Sequence, residues 1–208
     1  FVNVSNTNDG PVLTAPTAVT VNEDSANNLV PGLSLADPDD FGAVERVTLD
    51  LGPGAKGTLT LGTITGLVFS TGDGTADGTM VFQGTKAAIN AALATLSFTP
   101  TLNTNTVSTT QSLTITVDDL GNTGAGGPLT DTKTVAITIT PVNDAPVRNG
   151  AGTAVLPAAT EDVTGNPSAT VASLFTGAFN DLLDTVSGGT TANAFAGIAI
   201  TANASIPT

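Results

Sequence analysis

A short motif of turn-forming residues occurs twice in this chain and sets its organisation. The motif is Asn-Asp-Gly-Pro-Val at residues 8–12 and Asn-Asp-Ala-Pro-Val at residues 143–147, so the copies are roughly 135 residues apart, which is the length of a domain. Asn and Asp favour turns, and a proline cannot continue the hydrogen-bond ladder of a sheet. Each copy is therefore interpreted as a short, stiff joint between modules.

The two joints divide the chain into four parts. Residues 1–10 are interpreted as the tail of a preceding module with its joint, and residues 11–142 as one complete module. Residues 143–147 form the second joint, and residues 148–208 are the N-terminal part of a divergent following module. Both ends are expected to be cut from a longer chain, which would carry any targeting signal.

Polar and apolar residues alternate along most of the complete module, with Thr and Val prominent, and this period of two is typical of β-strands. The pattern predicts roughly eight or nine short strands. They cover residues 17–22, 33–37, 44–51, 57–61, 66–69, 79–82, 96–100, 111–117 and 133–140. Residues 85–96 instead have apolar side chains at helical spacing, with Thr85 as N-cap. The predicted fold is all-β, a tandem of Greek-key β-sandwich modules with one short helix in the complete module.

The charge of the chain favours cations as partners. Eighteen acidic residues against five basic ones give a net charge of −13, which disfavours nucleic acid and anionic membranes. The acids gather at the ends of predicted strands, as Glu23–Asp24, Asp37/Asp39/Asp40, Asp118–Asp119, Asp144, Glu161–Asp162 and Asp181/Asp184. Carboxylates that cluster without Lys or Arg are costly unless a cation neutralises them. The alternative is an acidic surface that only maintains solubility, which accounts for any one acidic pair but less well for the recurrence of acids at strand ends.

Several segments resemble the calcium-binding motifs of cadherin repeats. Asp37-x-Asp39 resembles their D-x-D motif, Asp119 lies in a segment like their A-x-D-x-G motif, and residues 143–146 resemble the N-D-x-P part of their linker. Glu23 falls where cadherins carry a Glu at the end of the first strand. The Val-Asn-Asp-Ala-Pro-Val joint and the Ala-Ile-Asn-Ala-Ala-Leu helix are closer still to the cadherin-like tandem repeats of large bacterial surface adhesins, giant proteins of the RTX and VCBS types. The resemblance implies cadherin-like or immunoglobulin-like sandwiches.

The chain departs from the cadherin pattern at its joints. The first linker Asp of cadherins is Pro141 in one copy and Asn6 in the other, and the closing Asn is missing. No equivalent of the mid-domain Asp-Arg-Glu motif is found. About one or two calcium ions at each joint are therefore expected, instead of the three that cadherins hold.

The resemblance and the chemistry together imply Ca²⁺ as the cofactor, because calcium takes oxygen ligands from carboxylates, amide carbonyls and backbone. Two sets of candidate ligands follow, one for each joint. At the upstream joint, residues of the joint would face acids of the module that follows: Asn8, Asp9, Asp37, Asp39 and Asp119. At the downstream joint, residues of the joint would meet acids from the modules on both sides: Asn143, Asp144, Glu23, Asp181 and Asp184.

The chemistry of the chain argues against an enzyme. It contains no His, Cys, Tyr or Trp, so the common nucleophile–base pairs are unavailable. Paired carboxylates could hydrolyse a glycosidic bond, but the aromatic residues that usually line a sugar site are missing. No Gly-rich phosphate loop follows a strand and opens a helix.

Two functions outside catalysis remain open. The first is a calcium-stiffened repeat of an extracellular bacterial adhesin, secreted or attached to the cell surface, which acts as a spacer and as an adhesion or biofilm module. The second is a subunit of a self-assembling extracellular fibre or surface layer. The expected partners are neighbouring modules of the same chain, with other copies of the chain or a cell-surface or matrix ligand as alternatives. No membrane insertion is expected of this segment.

Overall fold

The computed structural model describes residues 5–107, 109–145, 147–148 and 179–180. Contacts divide the chain into two compact units, of which the first contains the described residues up to Val142 and the second begins at Asn143. No helix among the described residues is long and apolar enough to cross a bilayer. The alternation of residues 197–201 also predicts a strand, and this segment lies outside the described part of the chain.

The first unit is an all-β sandwich with one short helix, as predicted. Its strands are β1 (Val12–Thr14), β2 (Ala18–Asn22), β3 (Asn28–Leu29), β4 (Ser34–Ala36), β5 (Val44–Asp50), β6 (Gly57–Leu61), β7 (Val68–Thr71), β8 (Thr79–Thr85), β9 (Leu96–Pro100), β10 (Gln111–Asp118) and β11 (Thr130–Thr140). The helix, α1, spans Lys86–Leu93. In the second unit the described strands are β12 (Val147–Arg148) and β13 (Phe179–Asn180), which pair antiparallel.

Two sheets of the first unit enclose a single hydrophobic core. The larger sheet has the strand order β2-β11-β10-β5-β8-β7 and the smaller sheet has the order β3-β9-β6, while β1 pairs with β4. The pairs are antiparallel except for β2 and β11, which run parallel. Phe82 of the larger sheet and Phe98 of the smaller sheet are both completely buried in this core.

The period of two in the sequence decides which face of each strand is buried. In β10, Leu113, Ile115 and Val117 are fully buried, whereas Thr114 and Thr116 between them are partly exposed. Burying each large aliphatic side chain contributes about 1.5–3 kcal/mol, and a shift of one residue in register would lose the whole set. The hydrophobic face therefore fixes the register of each strand against its neighbours.

The helix is shorter than the sequence predicts. Thr85 is the N-cap, as expected, and its hydroxyl accepts the backbone N–H of the third residue after it. The sequence predicts Leu96 both as the end of the helix and as the start of a strand; it belongs to β9, and the helix prediction is too long because α1 ends at Leu93. Leu96 pairs with Leu61 of the smaller sheet, so sheet pairing overrides the helical spacing there.

Candidate metal centre

Buried acidic side chains are concentrated at one end of the larger sheet. None of the residues there is more than 8% exposed, and they come from the upstream joint, from β5 and from the segments after β4 and β10: Asn8, Asp37, Asp39, Asp40, Glu45 and Asp119. We call these six residues the acidic cluster. Charged side chains are rarely buried to this degree unless they are paired or bind a metal ion.

The alternation of core-facing and outward-facing side chains continues beyond the ends of the strands. The predicted acidic residues therefore point inward. Leu33 and Leu35 are buried in the core, and Asp37 and Asp39 continue the same phase after β4. Asp119 likewise follows the core-facing phase of β10. Because the side chains of a strand alternate between its faces, each acid points to the side on which the core lies.

Glu45 is a cluster residue that was not predicted. It is the second residue of β5, it shares the core-facing phase of Val47 and Leu49, and it is 0% exposed. Its partner in the neighbouring strand β8 is Gly84, which carries no side chain. The signal in the sequence is a glutamate at a position of the alternating pattern where an apolar residue is expected.

Hydrogen bonds connect the upstream joint to the acids that follow β4 and β10. The Asn8 side chain donates to Asp119 Oδ2 at 2.6 Å and to the carbonyl of Gly127 at 2.9 Å. The backbone N–H of Asp9 donates to Asp39 Oδ2 at 3.1 Å, and that of Asp39 donates to Asp37 Oδ1 at 3.1 Å. The structure thus brings Asn8, Asp37, Asp39 and Asp119 together, while Asp9 contributes its backbone and is itself exposed.

Asp119 is the best-stabilised carboxylate of the cluster. Its Oδ1 atom accepts the N–H groups of Leu129 at 2.8 Å and Gly121 at 2.7 Å, and its Oδ2 atom accepts the Asn8 amide. Burial raises the pKa of Asp119, but these donors outweigh burial and lower the pKa from its ordinary value. Asp119 is therefore a preformed anion around which the other residues are arranged.

Several buried oxygens of the cluster accept no hydrogen bond within the protein. They are Asn8 Oδ1, Asp37 Oδ2, Asp39 Oδ1, Glu45 Oε1 and Glu45 Oε2. An unpartnered buried polar atom costs about 1–3 kcal/mol, and more if it is charged, so a cation bound among these acceptors would stabilise the cluster. Among the described residues, no three acidic side chains already stand in metal-ligand geometry. An ion would therefore have to draw these oxygens together as it binds.

The electrostatics of the cluster show a shortage of positive charge. Burial raises the pKa of Glu45 to about 7, and the negative charges of Asp37, Asp40 and Asp119 add to this rise while Lys86 opposes it. Burial also raises the pKa of Asp37, with Asp39 and Asp40 as like-charged neighbours. A divalent cation would remove both effects, because it favours the ionised form of every carboxylate around it.

One feature of the cluster contradicts the sequence analysis. The acids were predicted to lack Lys or Arg partners, but Lys86 Nζ lies 2.5 Å from Asp40 Oδ1 and donates to the carbonyl of Asp37 at 2.6 Å. Lys86 is distant in sequence, and it is brought to the cluster by the pairing of β5 with β8 and by the hydrogen bonds between Asn90 of α1 and Leu35 of β4.

The ligand set predicted for the downstream joint is described only in part. Glu23, which is 2% exposed, follows β2 at the opposite end of the larger sheet from the acidic cluster. Its Oε1 atom accepts the N–H of Val142 at 2.9 Å, and its Oε2 atom has no hydrogen-bond partner. Asn143 and Asp144 belong to the second unit, and the predicted ligands Asp181 and Asp184 lie outside the described residues.

A glycine lets the upstream joint lie against the loop after β10. The N–H of Asn8 donates to the carbonyl of Ala125, whose own N–H donates to the carbonyl of Asn6, both at 3.0 Å. Gly124 has φ +151°, and a Cβ atom there would lie 2.6 Å from the Asn8 backbone nitrogen. The close approach of the two backbones is therefore possible only without a side chain at this position.

We expect Gly124→Ala to displace Asn8 and to weaken cation binding at least tenfold, with a loss of about 1–3 kcal/mol in the free energy of unfolding. Gly78→Ala is the matched control, because a Cβ atom at Gly78 meets nothing within 4 Å. Isothermal calcium titration and thermal unfolding of both variants measure the effect. Equal behaviour of the two variants would show that the contact between Gly124 and Asn8 has no role in binding.

Comparison with known proteins gives one structural match and no family. No protein-family model matches the chain, and no curated protein matches it. A solved structure that it matches is AggA, the major subunit of aggregative adherence fimbriae type I from Escherichia coli, at 16% sequence identity and a TM-score of 0.28. The match covers 66% of this chain and 100% of AggA. A likeness at this TM-score supports no conclusion about the function of this chain.

Proposed function

We propose that the first unit is a calcium-binding, cadherin-like module of an extracellular bacterial adhesin, in which calcium at the upstream joint stiffens the connection to the preceding module. The observation that carries the proposal is the set of unpartnered buried oxygens on Asn8, Asp37, Asp39 and Glu45 around the ionised Asp119. In this role the module acts as a spacer within a longer surface protein and contributes to adhesion.

The ligand chemistry favours calcium over other metal ions. The cluster offers carboxylate and amide oxygens, and the chain contains no His or Cys for zinc, copper or iron. Calcium accepts six to eight oxygens in flexible geometry, whereas magnesium requires a compact octahedron. A cluster whose oxygens come from separate segments and must be drawn together suits the larger and more adaptable ion.

The position of the cluster links binding to the stiffness of the chain. Asn8 and Asp9 lie in the joint itself, and their contacts to Asp119 and Asp39 connect that joint to two strand ends of the module. Extracellular calcium modules bind with Kd of about 10⁻⁴–10⁻³ M. At ten times Kd, binding stabilises the joint by roughly 1.4 kcal/mol, which is enough to suppress hinging between neighbouring modules.

The test is the calcium dependence of stability and dimensions. Saturating calcium is expected to raise the melting temperature by about 3–8 °C over the chelated protein, and the radius of gyration from small-angle scattering should increase. Asp39→Asn should reduce both responses, whereas Asp73→Asn, the same charge change in an exposed hairpin loop, should not. If calcium leaves the wild-type melting temperature and scattering profile unchanged, the proposal fails.

A fibre or surface-layer subunit is the second candidate function. The observation that favours it is β7, the last strand of the larger sheet, whose Val68 side chain is 73% exposed. An open strand edge can receive a strand from another copy of the chain. Sedimentation over a range of protein concentrations in calcium distinguishes the candidates, because a spacer module stays monomeric and a fibre subunit forms larger species.

A further inference from the structure

Lys86 stands where helix physics disfavours a positive charge. It is the first residue of α1, and the N-terminus of a helix carries a partial positive charge that favours acids. No acidic residue occupies the first turn of α1 to offset it. The side chain nevertheless turns to the acidic cluster, where its ammonium group contacts Asp40 Oδ1 and the Asp37 carbonyl oxygen. The contacts with the acidic cluster therefore account for the position of Lys86 better than the helix does.

The atoms around this ammonium group are the kind that calcium binds. They include a carboxylate oxygen of Asp40 and a backbone carbonyl oxygen of Asp37, both within 2.6 Å of Nζ. Glu45 lies in the strand paired with β8, opposite Gly84, two residues before Lys86 in the chain. Its carboxylate is 0% exposed and neither oxygen has a hydrogen-bond partner. An unpartnered buried carboxylate next to a carboxylate–carbonyl pair marks a cation position.

The charges of the cluster require more than one cation. Five carboxylates give it a formal charge of −5, and Lys86 raises this to −4. One calcium ion would leave −2. Two other basic residues of the first unit are engaged elsewhere, since Arg46 pairs with Asp118 and Lys133 with Asp131. Without Lys86, one calcium ion would leave −3, and a second ion would be needed to bring the buried charge close to neutral.

We propose that Lys86 is a built-in counter-ion that holds the second cation position of the acidic cluster, between Asp40, the Asp37 carbonyl and Glu45. The upstream joint consequently binds a single divalent ion, at Asn8, Asp37, Asp39 and Asp119. This inference rests on the proposed calcium site and goes further, because it fixes the number of ions and assigns a role to a residue outside the ligand motifs. A tethered ammonium group also keeps part of the cluster neutralised when calcium is absent.

The test is to replace Lys86 by methionine, which keeps most of the length of the unbranched side chain and removes its charge. Equilibrium dialysis of the full chain against calcium, with bound metal measured by atomic emission, counts the ions in wild type and variant. Lys86→Met is expected to bind about one calcium ion more per chain than wild type, and Lys86→Arg, which keeps the charge, is expected to match wild type. The double variant Lys86→Met/Asp40→Asn should lose the additional ion.

The outcomes separate this inference from the proposed function. Wild-type protein that binds no calcium would overturn both. Wild type that binds calcium, together with a Lys86→Met variant of unchanged stoichiometry, would overturn the role of Lys86 alone. A Lys86→Met chain that stays unfolded in saturating calcium would also overturn it, because a second ion should replace the lost ammonium group. Terbium luminescence provides an independent count of the ions at the cluster.

Discussion

Asp119→Ala is expected to lower the free energy of unfolding by about 3–5 kcal/mol and to abolish calcium binding at the upstream joint. Asp119 is 0% exposed, and its carboxylate accepts hydrogen bonds from Leu129, Gly121 and Asn8. Removing it takes the acceptor from the part-buried N–H groups of Leu129 and Gly121, leaves the Asn8 amide with only the Gly127 carbonyl, and frees the joint from the end of β10. Urea unfolding with and without calcium measures both losses.

The matched control is Asp118→Ala, one residue earlier on the opposite face of β10. Asp118 pairs with Arg46 at the surface of the sheet and accepts the N–H of Leu120. Its loss should cost no more than about 1–2 kcal/mol and leave calcium binding intact. Equal losses for the two aspartates would contradict the view that Asp119 organises the cluster, as would calcium affinity that survives Asp119→Ala.

The second large effect is expected from pH in the metal-free protein. The pKa of Glu45 is about 7 in the folded state against 4.5 ordinarily, so the folded state binds this proton more tightly than the unfolded state. Glu45 therefore causes stability to fall as pH rises from 4.5 to 7, by about 3 kcal/mol in total, and the loss is complete above pH 7. The raised pKa of Asp37 acts in the same direction.

Below this pH range, the free energy of unfolding decreases as the pH falls. The pKa values of Asp119 and Asp131 are lowered by hydrogen bonds to backbone N–H groups, and for Asp131 chiefly by the Lys133 ammonium group. The stability that these two residues contribute is present above about pH 4 and is lost as pH falls further. Metal-free protein should therefore be most stable near pH 4–5, which is unusually acidic for a globular domain.

Glu45→Gln tests the origin of the pH effect. In chelator at pH 8, the variant is expected to be more stable than wild type by about 2–3 kcal/mol, and its stability should change little between pH 5 and 8. In saturating calcium the difference should become smaller, because a cation nearby favours the ionised form of Glu45 and lowers its raised pKa. Wild-type stability that is flat between pH 5 and 8 in chelator would show that Glu45 does not titrate in this range.

The elements that the sequence predicts well include five-residue strands with a clear alternating pattern. β6 and β9 have the bounds predicted from their alternation. β1 and β3 were not predicted, since they contain three and two residues and form only by pairing with β4 and β9. β11 begins at Thr130, before the predicted start at residue 133, because the antiparallel partner β10 extends to Asp118 and holds those residues in register.

The residues of the candidate site also fall into two groups. Some are predicted by the pattern of their own strand, and others join the cluster only in the folded structure. Asp37, Asp39 and Asp119 follow from the phase of their own strands, so the sequence alone places them on the core side. Glu45 and Lys86 are brought together by the pairing of β5 with β8, which no local pattern specifies. The orientation of Asp9, whose side chain is exposed, is likewise set by the contact of its backbone with Asp39.

The parallel pairing of β2 with β11 has a mechanical consequence. These are an early strand and the last strand of the first unit, and they run side by side from Ala18↔Ala136 to Asn22↔Thr140. Tension that pulls the two strands toward opposite ends of the module loads all the hydrogen bonds between them in shear at the same time. A ladder loaded in this way resists a pulling force far better than one whose bonds break one after another, so we expect the module to resist tension applied along the chain.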